Sequence, residues 1–130
     1  MAFGLTSKEF ESLLKTKSAK RYEYLIKKIC DYEELWTLRT KTGFVVLGDN
    51  SNMEYIPIWP HPQFAEVFGT GEWENTSPIR IDLNDWIRKW IPGMIRDKRL
   101  IAPFPLNGES NPQVAPDRHL LDLQKELSKY

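Results

Sequence analysis

Two histidines are the side chains of this chain best suited to acid-base chemistry near neutral pH. His61 stands between Pro60 and Pro62 at the expected start of a helix. An enzyme would need His61 in a cleft, within hydrogen-bond reach of a carboxylate such as Glu66 or Asp49. A helix N-terminus disfavours a protonated imidazole, and no second histidine or cysteine lies nearby in the sequence. A structural role is therefore favoured over a catalytic or metal-binding one, and a small enzyme is the alternative.

The patterns that bind metals or cofactors are incomplete throughout the sequence. His119 has Leu123 at the i+4 position, so it forms no helical metal-binding pair. The segment after Asp49 is rich in oxygen ligands but lacks the frame and the closing glutamate of a calcium loop. Gly69 and Gly71 lack the third glycine and the preceding strand that dinucleotide binding requires. We therefore expect no metal site and no cofactor, and we assign no catalytic residue.

Basic residues concentrate between positions 88 and 99, where they could contact phosphate groups. They interleave with apolar residues of a predicted helix, as on a solvated helix face. Across the chain, 18 basic residues balance 18 acidic ones, so no overall field attracts nucleic acid. The solvated face is favoured, and nucleic-acid binding through the segment from Arg88 to Arg99 is a further alternative. Such binding would weaken steeply as salt rises.

The size and composition fit one globular domain over residues 1–130. The 130 residues are 41% hydrophobic and 28% charged, which permits a sizeable core and disfavours disorder. Cys30 is the single cysteine and falls in an apolar helical pattern, so we expect a buried thiol and a reducing compartment. The N-terminus turns polar too early for a signal peptide, and no apolar run approaches a membrane span. We therefore expect a soluble, cytoplasmic protein.

The N-terminal part of the sequence predicts two helices. Thr6 and Glu9 form a capping box, and Leu5 and Phe10 have the spacing of a hydrophobic staple. The second helix is indicated by apolar residues at every position of a helical face, namely Tyr22, Leu25, Ile26, Ile29 and Cys30.

The sequence then changes to strand patterns with short connections. Residues 35–38 and 44–47 are expected to form a hairpin, with residues 55–59 as the third strand of a meander. Pro57 cannot donate a ladder hydrogen bond, so this third strand should lie at an edge or end early. Pro62 is suited to the first position of a short helix. Gly69 and Gly71 are expected to end this helix.

The second half of the chain alternates strands and helices. A short strand at residues 79–81 precedes a central helix, which Pro92 kinks. The main core face of this helix is expected to contain Trp86, Ile87, Trp90 and Ile91. A strand at residues 100–104 and a final helix from Pro116 follow. The fold class is therefore α+β, with a mostly antiparallel or mixed sheet of about five strands, two N-terminal helices, a kinked central helix and a C-terminal helix.

The tryptophans fall into two groups. Three of the five sit at patterned apolar positions and are expected in the core, namely Trp36, Trp86 and Trp90. Trp59 ends a strand among prolines, and Trp73 lies in a polar loop. Large aromatic side chains anchor interfaces when they are exposed. Trp59, His61, Glu72 and Trp73 are therefore the candidate binding residues if they are exposed, although folding back of Trp73 over the sheet is favoured over its exposure.

Four short segments resemble a known family. They are Arg21-Tyr22-Glu23-Tyr24, Pro57-Ile58-Trp59-Pro60-His61-Pro62, Gly71-Glu72-Trp73 and Trp90-Ile91-Pro92-Gly93-Met94. In this order, over residues 18–127, the chain resembles small bacterial proteins of domain of unknown function family 2750. That family has no established activity, so the resemblance implies a bacterial protein and assigns no catalytic residue.

The order of the predicted elements is also similar to the N-terminal domain of the enhanced-serine-sensitivity protein family. This likeness is one of layout, and it implies a non-enzymatic α+β module. The sequence as a whole favours a protein-binding or regulatory module, including an immunity-type partner that neutralises a toxin. Its expected partner is another protein, and the feature that would distinguish it is an exposed surface around Trp59, His61 and Trp73.

Overall fold

The computed structural model describes residues 5–48, 52–108 and 112–130. The helices are α1 Ser7–Leu14, α2 Ser18–Tyr32, α3 Pro62–Phe68, α4 Leu83–Asp85, α5 Ile91–Asp97 and α6 Pro116–Leu127. The strands are β1 Glu34–Arg39, β2 Leu47–Gly48, β3 Glu54–Ile58, β4 Ser77–Asp82 and β5 Leu100–Pro103. A π-helical turn, Trp86–Trp90, joins α4 to α5, and a 3₁₀ turn, Gly71–Trp73, follows α3.

The five strands form two small sheets, which confirms the predicted α+β fold. In the first sheet β1 pairs with β4 in antiparallel orientation. In the second the strand order is β2-β3-β5, with β3 antiparallel to β2 and parallel to β5. The sheets are linked at their edges, where Trp36 and Trp59 exchange backbone hydrogen bonds of 2.9 and 2.8 Å.

The predicted hairpin forms only in part, because two segments share the same edge of β1. Six consecutive residues of β1 pair with β4 along the other edge. On the shared edge, the Leu38 carbonyl accepts from the Val45 amide at 2.9 Å, and two residues earlier Trp36 bonds to Trp59. The end of β3 therefore occupies the position that a longer hairpin would need. Trp36 is half-buried, so the expectation of a core position is wrong for this residue.

β3 is the middle strand of its sheet and not an edge strand, so of the two outcomes expected for Pro57 only the second is met, because ladder pairing on the side of the proline ends early, at Tyr55. The Phe104 amide donates to the Ile58 carbonyl at 2.7 Å, so Ile58 faces β5. Successive residues of a strand direct their backbone groups to opposite edges, and Pro57 therefore faces away from β5. On that side β2 pairs only as far as Tyr55. The Pro57 carbonyl instead accepts from the Thr37 hydroxyl at 2.6 Å.

The central helix is kinked, as predicted, and its π turn changes which side chains face the core. The Ile91 amide donates to the carbonyl of Trp86. Pro92 has no amide hydrogen, and its ring would clash with a carbonyl of a regular α-helix, so a wider turn relieves this clash. Trp86 and Ile91 are buried, whereas Ile87 and Trp90 are half-buried. Ile87 and Trp90 are therefore less buried than a central core position requires, but both still pack against the core as the spacing predicted.

A buried arginine holds the end of β5 against the N-terminal helices. Arg21 of α2 donates from Nε to the Phe104 carbonyl at 3.3 Å and from a terminal nitrogen to the Thr16 carbonyl at 2.6 Å. Its guanidinium carbon also lies 5.9 Å from the centre of the Phe104 ring. Arg21 thus joins the connection between α1 and α2 to the segment after β5. The periodicity of α2 places an arginine here without showing what it binds.

Candidate functional site

The structure places the candidate binding residues mostly inside the protein. Trp59 is 0% exposed and His61 is 1% exposed. The Trp59 indole donates to the Pro105 carbonyl at 2.9 Å, which fixes the segment just before α3. Trp73 is half-buried against the core, and the side chain of Glu72 lies outside the described part of the structure. The expected exposed surface is therefore wrong for Trp59 and His61, because these buried side chains pack against Phe68 and Phe64 on the inner face of α3.

His61 lies among aromatic rings instead of in an open cleft. Its Nε2 is 2.8 Å from the Tyr24 hydroxyl, and its ring packs near Tyr32 and Phe64. Burial, followed by the nearby positive charge of Lys28, lowers the pKa of His61 to about 4. The imidazole is therefore neutral near pH 7 and closed off from a substrate. Of the two carboxylates considered as its catalytic partners, Glu66 is exposed and Asp49 lies outside the described residues.

The second histidine, to which the sequence assigned no role, is the centre of a buried hydrogen-bond chain. The Trp86 indole donates to His119 Nε2 at 3.0 Å, so the imidazole proton must be on Nδ1. Nδ1 is 3.3 Å from the Tyr22 hydroxyl, which donates to Asp122 at 2.6 Å. This chain connects α2, the π turn and α6.

The hydrogen-bond chain around His119 has a structural role. Burial lowers the pKa of His119 to about 4. Burial and the hydrogen bond to Asp122 raise the pKa of Tyr22 well above its usual value. Both groups are thus neutral near pH 7, and neither is poised to exchange a proton. Asp122 follows His119 by three residues, so one helical face presents both, but only tertiary packing shows that Tyr22 and Trp86 meet them.

Three of the five basic residues between positions 88 and 99 form ion pairs with carboxylates. Lys89 lies 3.6 Å from Asp85, and Arg99 lies 2.9 Å from Glu54. Arg96 pairs with its neighbour Asp97 at 3.4 Å. These pairs reduce the positive potential that a phosphate backbone would meet. Within the described ranges, no group of histidine, cysteine and carboxylate side chains is arranged to hold a metal ion.

An open groove runs between α1 and the outer face of α3, and we call it the α1–α3 groove. Its volume is about 540 Å³, and its main lining residues are Leu5, Phe10, Glu11, Gln63, Glu66 and Val67. The Phe10 and Phe64 rings stack with centroids 4.8 Å apart, which fixes α1 against α3. Val67 is 42% exposed, so the apolar lining reaches solvent. The predicted N-terminal cap of α1 is confirmed, since Thr6 accepts from the Glu9 amide at 3.1 Å.

The segments singled out by the sequence hold α3 at both of its ends. Pro62 occupies the first turn of α3, directly after the buried Trp59 to His61 segment. At the other end, the Asn107 side chain donates to the Val67 carbonyl at 3.0 Å. The Gly69 amide donates to the Ala65 carbonyl at 2.9 Å, which confirms the predicted glycine cap. The α1–α3 groove thus has a wall that is fixed before any partner binds.

Gly69 is required for close packing, and we expect Gly69→Ala to lower the free energy of unfolding by about 1–3 kcal/mol. A Cβ at this position would lie 2.8 Å from the Thr76 hydroxyl oxygen. That hydroxyl donates to the Trp73 carbonyl at 2.5 Å, so it cannot rotate away without losing this bond. Urea unfolding should show the loss.

The control for this substitution is the Thr76→Ala background, in which the clashing oxygen is gone. There the added methyl group of Gly69→Ala should cost much less than in the wild-type protein. Equal losses in the two backgrounds would show that the methyl group is rejected by another contact.

Other surface grooves have charges of both signs at their rims. One lies beside the π turn, where the Phe44 and Trp90 rings meet edge to face at 4.6 Å. Its volume is about 470 Å³, and its rim contains Lys89, Asp97 and Arg99. Another, of about 580 Å³ between α2 and α6, is lined by lysines and by carboxylates. The α1–α3 groove differs from both because its charged lining residues are all acidic.

The fold and the groove define a small α+β protein whose buried histidines are structural. The chain belongs to the family described as protein of unknown function (DUF2750), which matches residues 22–124. This match includes α3 and leaves α1 outside. No curated protein and no solved structure gives a significant match. In the described part of the chain, none of the helices combines the length and the apolar character needed to cross a membrane.

Proposed function

We propose that this protein is a non-enzymatic protein-binding or regulatory module, and that its α1–α3 groove receives an apolar side chain of a partner protein. The observation that carries the proposal is the open apolar lining of this groove. Phe10 and Val67 face a space of about 540 Å³, which is large enough for one or two side chains. The proposal is that this apolar lining forms part of a larger surface that a partner covers.

The rigidity of the groove supports the proposal. Its floor is fixed by the Phe10 and Phe64 stack, and its α3 wall by Pro62 and by the Asn107 hydrogen bond. A surface that is already ordered loses little conformational entropy when a partner binds. The groove can therefore bind a partner segment without a prior rearrangement of α3.

The proposal also includes where the protein works and what kind of partner it binds. The single cysteine, Cys30, is buried, and burial raises the pKa of its thiol to about 11. A lone unreactive thiol fits a reducing compartment, which supports the bacterial cytoplasm as the proposed location. An immunity-type role, in which the partner is a toxin that the protein neutralises, is one form of this proposal.

We expect Val67→Asn to weaken the partner at least about tenfold, because a buried amide without hydrogen bonds costs more than about 1.4 kcal/mol. Leu121→Asn is the matched control, since Leu121 is also an exposed apolar residue of a helix and is 62% exposed. Neither change should lower the thermal unfolding temperature much, because surface substitutions away from the core usually change stability by about 0.5 kcal/mol or less.

The measurement is affinity capture from the native host with the wild-type protein and both variants, followed by quantitative mass spectrometry. A protein retained by the wild type and by Leu121→Asn, but depleted with Val67→Asn, supports the proposal. Equal retention by Val67→Asn and the wild type would place the binding surface elsewhere.

A further inference from the structure

We infer that the partner segment seated in the α1–α3 groove is cationic, with lysine or arginine side chains beside an apolar residue. This inference rests on the proposed function and names the chemistry of its partner. Two carboxylates, Glu11 and Glu66, line the groove together with its apolar residues. None of the described residues that line the groove is basic.

The two carboxylates are open to an external partner. Glu11 and Glu66 are both exposed, and neither forms an ion pair with a residue in the described ranges. On other faces of the protein, by contrast, Glu23 pairs with Lys20 and Asp85 pairs with Lys89. Within the described residues, the two rim carboxylates are therefore not engaged in an ion pair.

The N-terminus of α1 adds little counter-charge to the groove. The N-terminus of α1 has a partial positive charge, but Glu9 lies in its first turn and Thr6 accepts a hydrogen bond from the Glu9 amide. A partner carboxylate at the rim would face Glu11 and Glu66 with the same charge and would be repelled.

A lysine or an arginine suits both parts of this surface. Its aliphatic stem can lie on Phe10 and Val67 while its charged end reaches a rim carboxylate. Arginine adds two parallel hydrogen bonds to one carboxylate, which fixes the orientation of the segment. The groove thus favours a basic segment over a neutral one of the same apolar content, and it disfavours an acidic one.

The test uses three labelled synthetic peptides that share the same apolar anchor, one leucine and one phenylalanine. Their flanking residues differ. The basic peptide has lysine and arginine, the second has serine and the third has glutamate. Fluorescence anisotropy at low and at physiological salt measures their affinities for the full chain. We expect the basic peptide to bind at least about tenfold more tightly than the serine peptide at low salt, and the glutamate peptide to bind most weakly. Raising the salt should reduce the difference.

Substitutions of the two rim carboxylates test whether they cause the preference for the basic peptide. Glu11→Gln combined with Glu66→Gln keeps the shape of both side chains and should weaken the basic peptide roughly three- to tenfold, with little effect on the serine peptide. Glu23→Gln removes an exposed carboxylate on α2 and is the control that should change nothing. Val67→Asn should weaken the basic and the serine peptides alike.

The outcomes separate this inference from the proposed function. If Val67→Asn depletes the captured partner while the double glutamine variant retains it fully at low salt, the groove binds a protein but the cationic assignment is overturned. Equal affinities for the three peptides, or no binding by any of them, also overturns it. If the wild-type protein and Val67→Asn behave identically in every assay, the proposed function itself fails.

Discussion

Replacing Trp86 by Ala is expected to lower the free energy of unfolding by about 3–5 kcal/mol, whereas Trp90→Ala should cost about 1–2 kcal/mol. Trp86 is 0% exposed and donates to His119 at 3.0 Å, so its removal leaves both a cavity and an unpaired buried nitrogen. Trp90 is half-buried, and its contact with Phe44 is on the surface side, because Phe44 is 47% exposed. Guanidinium unfolding of both variants measures the difference.

Trp86→Phe separates the two contributions to this loss. Phenylalanine keeps much of the buried area but cannot donate to His119, so the remaining cost should be about 1–3 kcal/mol for the unsatisfied nitrogen. If Trp86→Ala and Trp90→Ala lowered stability equally, both indoles would belong to one core face. The π turn would then not set the orientation of the helix.

The helices of this fold could be predicted because their signals are local. The cap of α1 needs only Thr6 and Glu9, and the buried face of α2 follows a regular spacing that no neighbouring element changes. The π turn defeats the same reasoning in the central helix. A turn of five residues rotates the positions that follow it, so Trp86 and Ile91 share the buried face instead of the four residues of the regular pattern.

The sheet was harder to predict because strand pairing is decided by distant segments. Pro57 lacks the amide hydrogen that a ladder bond on one side of β3 would use. The sequence does not show that β2, the strand on that side, ends at Tyr55, before this bond would form. The length of the hairpin was misjudged for a similar reason. Trp59 comes from a later part of the chain and forms the backbone hydrogen bonds with Trp36 that the second strand of a longer hairpin would form.

The groove was not predicted from the sequence, because Trp59, His61 and Trp73, which the sequence singled out, are not among its described lining residues. The prolines and tryptophans around α3 indicated an unusual segment, yet the side chains that face solvent are those of the helix between them, including Glu66 and Val67. The other wall comes from α1, which meets α3 through the stacking of Phe10 on Phe64. No local pattern specifies that contact. A large aromatic residue among prolines thus indicated a support for the surface and not the surface itself.

Acidification below about pH 6.5 is expected to destabilise the protein, because two buried histidines are neutral in the fold. Burial lowers the pKa of His61 and of His119 from about 6.5 to about 4. As the pH falls below about 6.5, the unfolded chain binds two protons that the folded chain does not bind until about pH 4. Stability is therefore fully present above the unfolded pKa and is lost as the pH falls through this interval. Between pH 7 and pH 5.5 the loss should be about 2–3 kcal/mol.

Single substitutions assign this loss to its two sources. His119→Gln can still accept from the Trp86 indole, and His61→Gln can still bond to the Tyr24 hydroxyl, so each variant should fold and lose about half of the pH dependence. The measurement is the free energy of urea unfolding at several pH values between 7 and 5.5, together with the proton chemical shifts of both imidazoles in the folded protein. Folded-state titration midpoints near the ordinary histidine value would contradict the expectation. In that case the buried imidazoles accept protons in the folded protein, and the hydrogen bond from the Trp86 indole to His119 breaks, because a protonated imidazole has no acceptor nitrogen.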